Sequence, residues 1–208
     1  MELRMSLYPG DFLKFIIEWT DQVGPLHELI SKKAPDPRMN DVELAVRFLA
    51  FSDQNLVYAG DLKKFLDELC TRYNSAFADD ENAIEVVRSR LDNLNESIAA
   101  GIEIFPENKF CRKFVDGEYE RRFNRAIFDV LVGALANPGV RRWALNNSAD
   151  FVAGFEQVSA TDAFRRAVET TTKSVASTRT RFERFYAKVT ELTGIQLDQP
   201  AIANEIAD

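Results

Sequence analysis

The sequence predicts an all-α protein, an irregular multi-helix bundle, and three observations predict it. Apolar residues recur at three and four positions along nearly every patterned segment. Sixteen Phe stand against nine Gly and seven Pro, so long apolar faces outnumber tight turns. The 208 residues contain no repeat of fixed period and no low-complexity linker, which favours one bundle over a solenoid. With 46% hydrophobic and 28% charged residues the chain has ordinary globular composition and can bury one core. The expected organisation is a single helical domain over 1–197 with a frayed acidic tail over 198–208.

The elements follow from local pattern. After Pro9-Gly10-Asp11, the residues Phe12, Phe15, Ile16 and Trp19 repeat at helical spacing. Gly24, Pro25, Pro35 and Pro37 mark a connection that holds a short helix from about Leu26 to Lys32. Asn40 or Asp41 then caps a strongly apolar helix carrying Val42, Ala45, Val46, Leu49 and Ala50. Asp61 opens the next, with a stripe of Leu62, Phe65, Leu66, Leu69 and Tyr73. Asp79-Asp80-Glu81 places acids at the start of a helix through Ile84, Val87, Leu91, Leu94 and Ile98 that runs close to Ile104. Residues 105–117 are irregular and hold a short hairpin or a loop. Glu118 is expected to begin a long helix through Phe123, Ile127, Val130 and Leu135, ended by Asn137-Pro138-Gly139. Helices at about 139–145 and 148–158 follow, and Thr161-Asp162 caps another through Phe164, Ala167 and Val168. The last, from about Ser174, turns Phe182, Phe185, Val189 and Leu192 inward and stops at Gly194.

Charge and composition exclude several classes. No apolar run is long enough to span a bilayer, and the N-terminus lacks a secretory pattern, so a cytoplasmic protein is expected. Cys70 and Cys111 have no paired or metal-ligand spacing and read as structural thiols. The chain carries a net charge of −7, but residues 161–190 hold seven basic and three acidic residues, a balance of +4 that leaves −11 elsewhere. Neither a phosphate-binding loop nor a dinucleotide fingerprint is present.

The single histidine, His27, cannot supply a zinc site alone, because Ser31 stands where a second helical ligand would be. An exposed or locally hydrogen-bonded role suits it better. Asp61-Leu62-Lys63 and Glu107-Asn108-Lys109 have acid-x-Lys spacing, and Asp92 lies upstream of the latter. A cryptic metal-dependent nuclease would need Asp92, Glu107 and Lys109 to converge, although such sites normally sit at strand ends. No catalytic residue, metal ligand or cofactor is assigned.

Five segments carry a resemblance: ELRMSLYPGDF at the start, RMNDVELAVRFLAF at 38–51, NKFCRKF at 108–114, NRAIFDVLVGAL at 124–135 and STRTRFERF at 177–185. In this order the chain resembles the C-terminal helical region of the GmrSD-type restriction protein family. These are prokaryotic defence proteins whose N-terminal half has a ParB/sulfiredoxin-like fold. The most distinctive piece is Arg38-Met39-x-Asp41-x-Glu43 followed by Arg47-Phe48-Leu49. In the family the nucleotide-hydrolysing loop belongs to the ParB-like half. Asp21-Gln22 is followed here by Val23-Gly24 and does not reproduce that loop. A His-Asn-His nuclease domain, found in some members, is also missing from the sequence. The resemblance therefore implies a non-catalytic module of a defence system that associates with a ParB-like partner.

Two groups of residues are candidates for contact. Arg38, Asp41, Glu43 and Arg47 form the densest polar group in the distinctive segment. Read structurally, they make a salt-bridged helix entry, with Glu43 and Arg47 paired four apart and Asp41 capping amides. Read functionally, they touch the ParB-like partner or a nucleotide bound to it. The second group is Arg165, Arg166, Arg179, Arg181 and Arg184, which at these spacings could straddle the phosphates of DNA or another nucleic acid.

Overall fold

The computed structural model describes residues 10–169 and 172–204, which form ten helices and one two-stranded sheet. The first resemblance segment, apart from its closing Gly10, Asp11 and Phe12, lies outside the described residues, as do 205–208 of the expected tail. The all-α architecture is as predicted. The helices are α1 (Asp11–Thr20), α2 (Pro25–Leu29), α3 (Asn40–Ser52), α4 (Leu62–Asp79), α5 (Asn82–Ile104), α6 (Arg125–Leu135), α7 (Pro138–Asn146), α8 (Ser148–Ser159), α9 (Asp162–Glu169) and α10 (Val175–Thr193). The strands β1 (Arg112–Val115) and β2 (Glu118–Phe123) lie between α5 and α6. Among the described residues no helix is long and apolar enough to cross a membrane.

Two helices form the centre. In α3 every residue from Asp41 to Phe51 except Glu43 is buried, and α1, α4, α5 and α6 pack around it. In α6 burial covers Ala126 to Leu135 except Gly133, under α3, α5, α7 and α10. A helix apolar on all faces is what a position enclosed by neighbours requires. The last layer is aromatic. Phe155 of α8, fully buried, has its ring 5.7 Å from Phe105, 5.9 Å from Phe185 and 6.3 Å from Phe164, each edge to face.

Side-chain caps close several helix ends, the expected one at Asp61 among them. Asp61 accepts from Lys64 N, Asn137 from Gly139 N and Val140 N, and Ser174 from Ser177 N. Gly194 ends α10 in the left-handed region at φ 71°. α1 is capped from outside: Phe12 N donates to Asn74 Oδ1 of α4, and a Cβ on Gly10 would lie 2.1 Å from that amide. A side chain at position 10 would have to displace that amide and with it the bond to Phe12 N.

Three expectations need correction. Glu118 does not begin a helix. Asp116-Gly117, both at positive φ, make the two-residue turn that matches strand twist, and 118–123 returns as β2. The helix starts at Arg125 because Asn124 Oδ1 accepts from Ala126 N and Ile127 N. Asn40 and Asp41 do not cap α3; Met39 occupies the cap position at φ 52° with no side-chain bond. The segment from 198 is not frayed as far as it is described, because Tyr58 N donates to Ala201 O and Ala203 N to Tyr58 O.

Candidate functional site

The Arg38–Arg47 segment divides between surface and core. A tight turn over Asp36–Met39 precedes α3: Met39 N donates to Asp36 O at 2.7 Å and Arg38 N to Asp36 Oδ1 at 3.2 Å. Asp41, 1% exposed, holds this turn from inside, since its Oδ2 accepts from Asp36 N at 2.8 Å. The same oxygen is 3.2 Å from His27 Nε2, and Gly24 N donates to His27 Nδ1. That donor leaves Nδ1 as the acceptor, so Nε2 carries the proton toward Asp41. His27 is thus buried and structural rather than exposed. Removing the carboxylate in Asp41→Ala orphans three buried donors, Asp36 N, His27 Nε2 and Val42 N, and we expect about 1–3 kcal/mol lost in urea denaturation, with faster amide exchange over 36–42.

The expected Glu43–Arg47 pair is not formed. Arg47, buried, turns to α6 and grips Asp129 with both ends of its fork, Nε to Oδ1 at 2.5 Å and Nη2 to Oδ2 at 2.6 Å. Arg181 of α10 reaches the same Oδ2 at 3.0 Å and also donates to Thr172 O and Thr178 Oγ1. Burial opposes the charge on Arg47, but Asp129 outweighs it and raises the pKa. Burial lowers the pKa of Arg181, and the positive charge of Arg47 adds to that while Asp129 opposes it. The ring of Phe51 lies against both guanidinium groups, at 5.5 and 6.0 Å. This is an internal cross-tie of three helices.

Arg38 goes the other way. It is exposed, and among the described residues its side chain has no ion pair. It stands at a cleft of about 620 Å³ together with Lys32, Arg112 and Arg125. Arg125 is shared with Glu43 at 3.4 Å and with Asn40 Oδ1 at 2.9 Å. Asp36, the acid of this cleft, is already held by the Asn40 amide, Arg38 N and Lys32, which keep its pKa below the usual carboxylate range despite burial. Arg112 is only 9% exposed; its Nε donates to Asn108 O at 3.3 Å, while Nη1 has no partner among the described residues. Burial lowers its pKa, and no carboxylate contributes in the opposite direction.

The second predicted group does not form one basic face. Arg181 is 1% exposed in the buried cluster, and a helical residue cannot serve both sides. Arg165 pairs with Asp162 at 2.6 Å, Arg166 lies 3.9 Å from the same carboxylate, and half-buried Arg179 donates to Ala203 O. Arg184 remains exposed. Among the described residues no three His, Cys, Asp or Glu side chains converge as a metal ion would need. Glu107 instead pairs with Lys109 at 2.9 Å, and Asp92 is exposed on α5.

Asp129, Arg112 and Arg125 were not among the predicted site residues. Asp129 carries a readable signal, a lone acid inside the apolar run AIFDVLVGAL, which burial permits only with a partner. Arg112 and Arg125 carry no such signal, because the strand 118–123 that brings them to α3 reads as helix.

The chain thus belongs, by fold, to the all-α multi-helix class. Comparison with protein-family models, with curated proteins and with solved structures finds no match.

Proposed function

We propose that the chain is a non-catalytic helical module of a GmrSD-like prokaryotic defence system, acting by association with a ParB-like catalytic partner. One observation carries this reading: segments that resemble the family, far apart in sequence, meet in space. RMNDVELAVRFLAF supplies Arg47, NRAIFDVLVGAL supplies Asp129 and STRTRFERF supplies Arg181, and these three form the buried cross-tie. NKFCRKF supplies Arg112, which lies with Arg38 and Arg125 at the open cleft. The resembling segments therefore do two things: they brace the bundle, and they present Arg38 and Arg125 to the outside with buried Arg112 behind them. Arginine forks suit an acidic surface on a partner.

Affinity capture of the tagged chain from its native host tests the reading. A ParB-like protein recovered in near-equal amount is the expected result. A partner-free monomer rules it out, and nucleic acid alone, released by salt, would transfer the argument to the remaining exposed cations of α9 and α10.

A further inference from the structure

We infer that the cleft between the Asp36–Met39 turn and the hairpin binds the phosphate group of a small phosphomonoester, with Arg112 as its buried anchor. This goes beyond the partner reading and does not need a partner to be true.

A buried guanidinium is costly unless its donors and its charge are met. Arg47 and Arg181 meet that requirement through Asp129. Arg112 does not: among the described residues it has one carbonyl acceptor, the face of Phe123 at 5.6 Å and no ion pair. The fold nevertheless places it beside Lys32, Arg38 and Arg125, three further cations in the same cleft, against one acid that is already saturated. Asp36 pairs with Lys32 and Glu43 with Arg125, so Arg38 and Arg112 leave an excess of +2 in a chain whose total is −7. A local excess of this size matches a phosphate monoester of charge about −1.5 to −2 at pH 7 better than a single carboxylate. Arginine forks also fit phosphate oxygens two at a time.

The rest of the wall defines the remainder of the ligand. Ile30, Pro37, Leu44 and Phe123 make an apolar side to the cleft, and its size of about 620 Å³ suits a small organic molecule rather than a polymer. The positive cleft next door, of about 530 Å³, shares Phe123 and Arg125 with it but carries three acids, Glu43, Glu120 and Glu169. That cleft is the weaker anion site.

The test is calorimetric titration of the purified chain with phenyl phosphate, inorganic phosphate, benzoate and a short single-stranded DNA. Phenyl phosphate is expected to bind at least about tenfold tighter than benzoate, and tighter than inorganic phosphate because of the apolar wall. Its affinity should rise as pH is raised through about 6, where the phosphate loses its second proton. Arg112→Met should lose at least about tenfold in affinity, yet melt no lower than wild type without ligand, since it removes an uncompensated buried charge. Arg38→Ala, exposed and outside the core, should bind several-fold more weakly with an unchanged melting temperature. Equal affinity for benzoate and phenyl phosphate, DNA binding more tightly than phenyl phosphate, or an Arg112→Met protein that is destabilised while Arg38→Ala binds normally would each overturn the assignment. These outcomes are independent of whether capture finds a partner.

Discussion

Asp129→Ala should cost the fold about 3–5 kcal/mol, measured as a fall in free energy of urea unfolding, because it strands two buried guanidinium groups at once. The size follows from the geometry. Asp129 is the shared acceptor of a two-bond fork from Arg47 and a third bond from Arg181, and both arginine side chains are under a tenth exposed. Asp129→Asn keeps the shape but removes the charge that raises the pKa of Arg47, so it should fall in the same range. Replacing all three together, Arg47→Met with Asp129→Leu and Arg181→Met, should recover most of the loss, since no charge is then left unpaired. The ion cluster therefore specifies how α3, α6 and α10 meet more than it adds net stability.

The second large effect is expected at Phe155. Phe155→Ala should cost about 3–5 kcal/mol in the same experiment, because the ring is fully buried and the cavity left behind is walled by other rings that cannot follow it inward. Phe105, Phe164 and Phe185 all lean on it edge to face. A milder Phe155→Leu should recover roughly half of that loss, as most of the volume is kept. The near-isosteric change separates volume from ring-edge contacts, worth about 0.5–1.5 kcal/mol beyond burial.

How much of this was legible in the sequence depends on how local the signal is. The apolar stripes of α4 and α10, the cap at Asp61 and the start near Ser174 are set by residues within four positions of each other, and they stand as expected. Of the hairpin, the expectation for 105–117 covered the first strand and the turn, and only the second strand was misread as helix. Tyr119 and Phe123 are four apart, a spacing that serves a helix as well as it serves one face of a strand. Asp116-Gly117 decides between them only when its turn chemistry is weighed against that periodicity. The tail past Leu197 was misread because its binding is backbone to backbone at Tyr58, which composition does not encode.

The candidate site shows the same division. Arg38, Asp41, Glu43 and Arg47 read as one polar group in the sequence, but the structure separates them: their partners are 82 residues away for Arg47, 14 for Asp41 and on α6 for Glu43, and Arg38 faces outward. Helical spacing favours Glu43 with Arg47 by only about 0.2–0.5 kcal/mol. A buried carboxylate on α6 and Arg125 at its start outbid so small a preference. Likewise Arg179, Arg181 and Arg184 read as one basic set in sequence, although Arg181 lies between Thr178 and Phe182 on the buried stripe of α10.

On the proposed reading the Arg38 turn and the hairpin face a partner, while Arg47 and Arg181 serve the core. Hydrogen exchange of the chain alone and within its native complex addresses this most directly. Slowed exchange on complex formation is expected over 32–44 and 108–125, with 161–188 unchanged. Protection over 161–188 with 32–44 unchanged would contradict it.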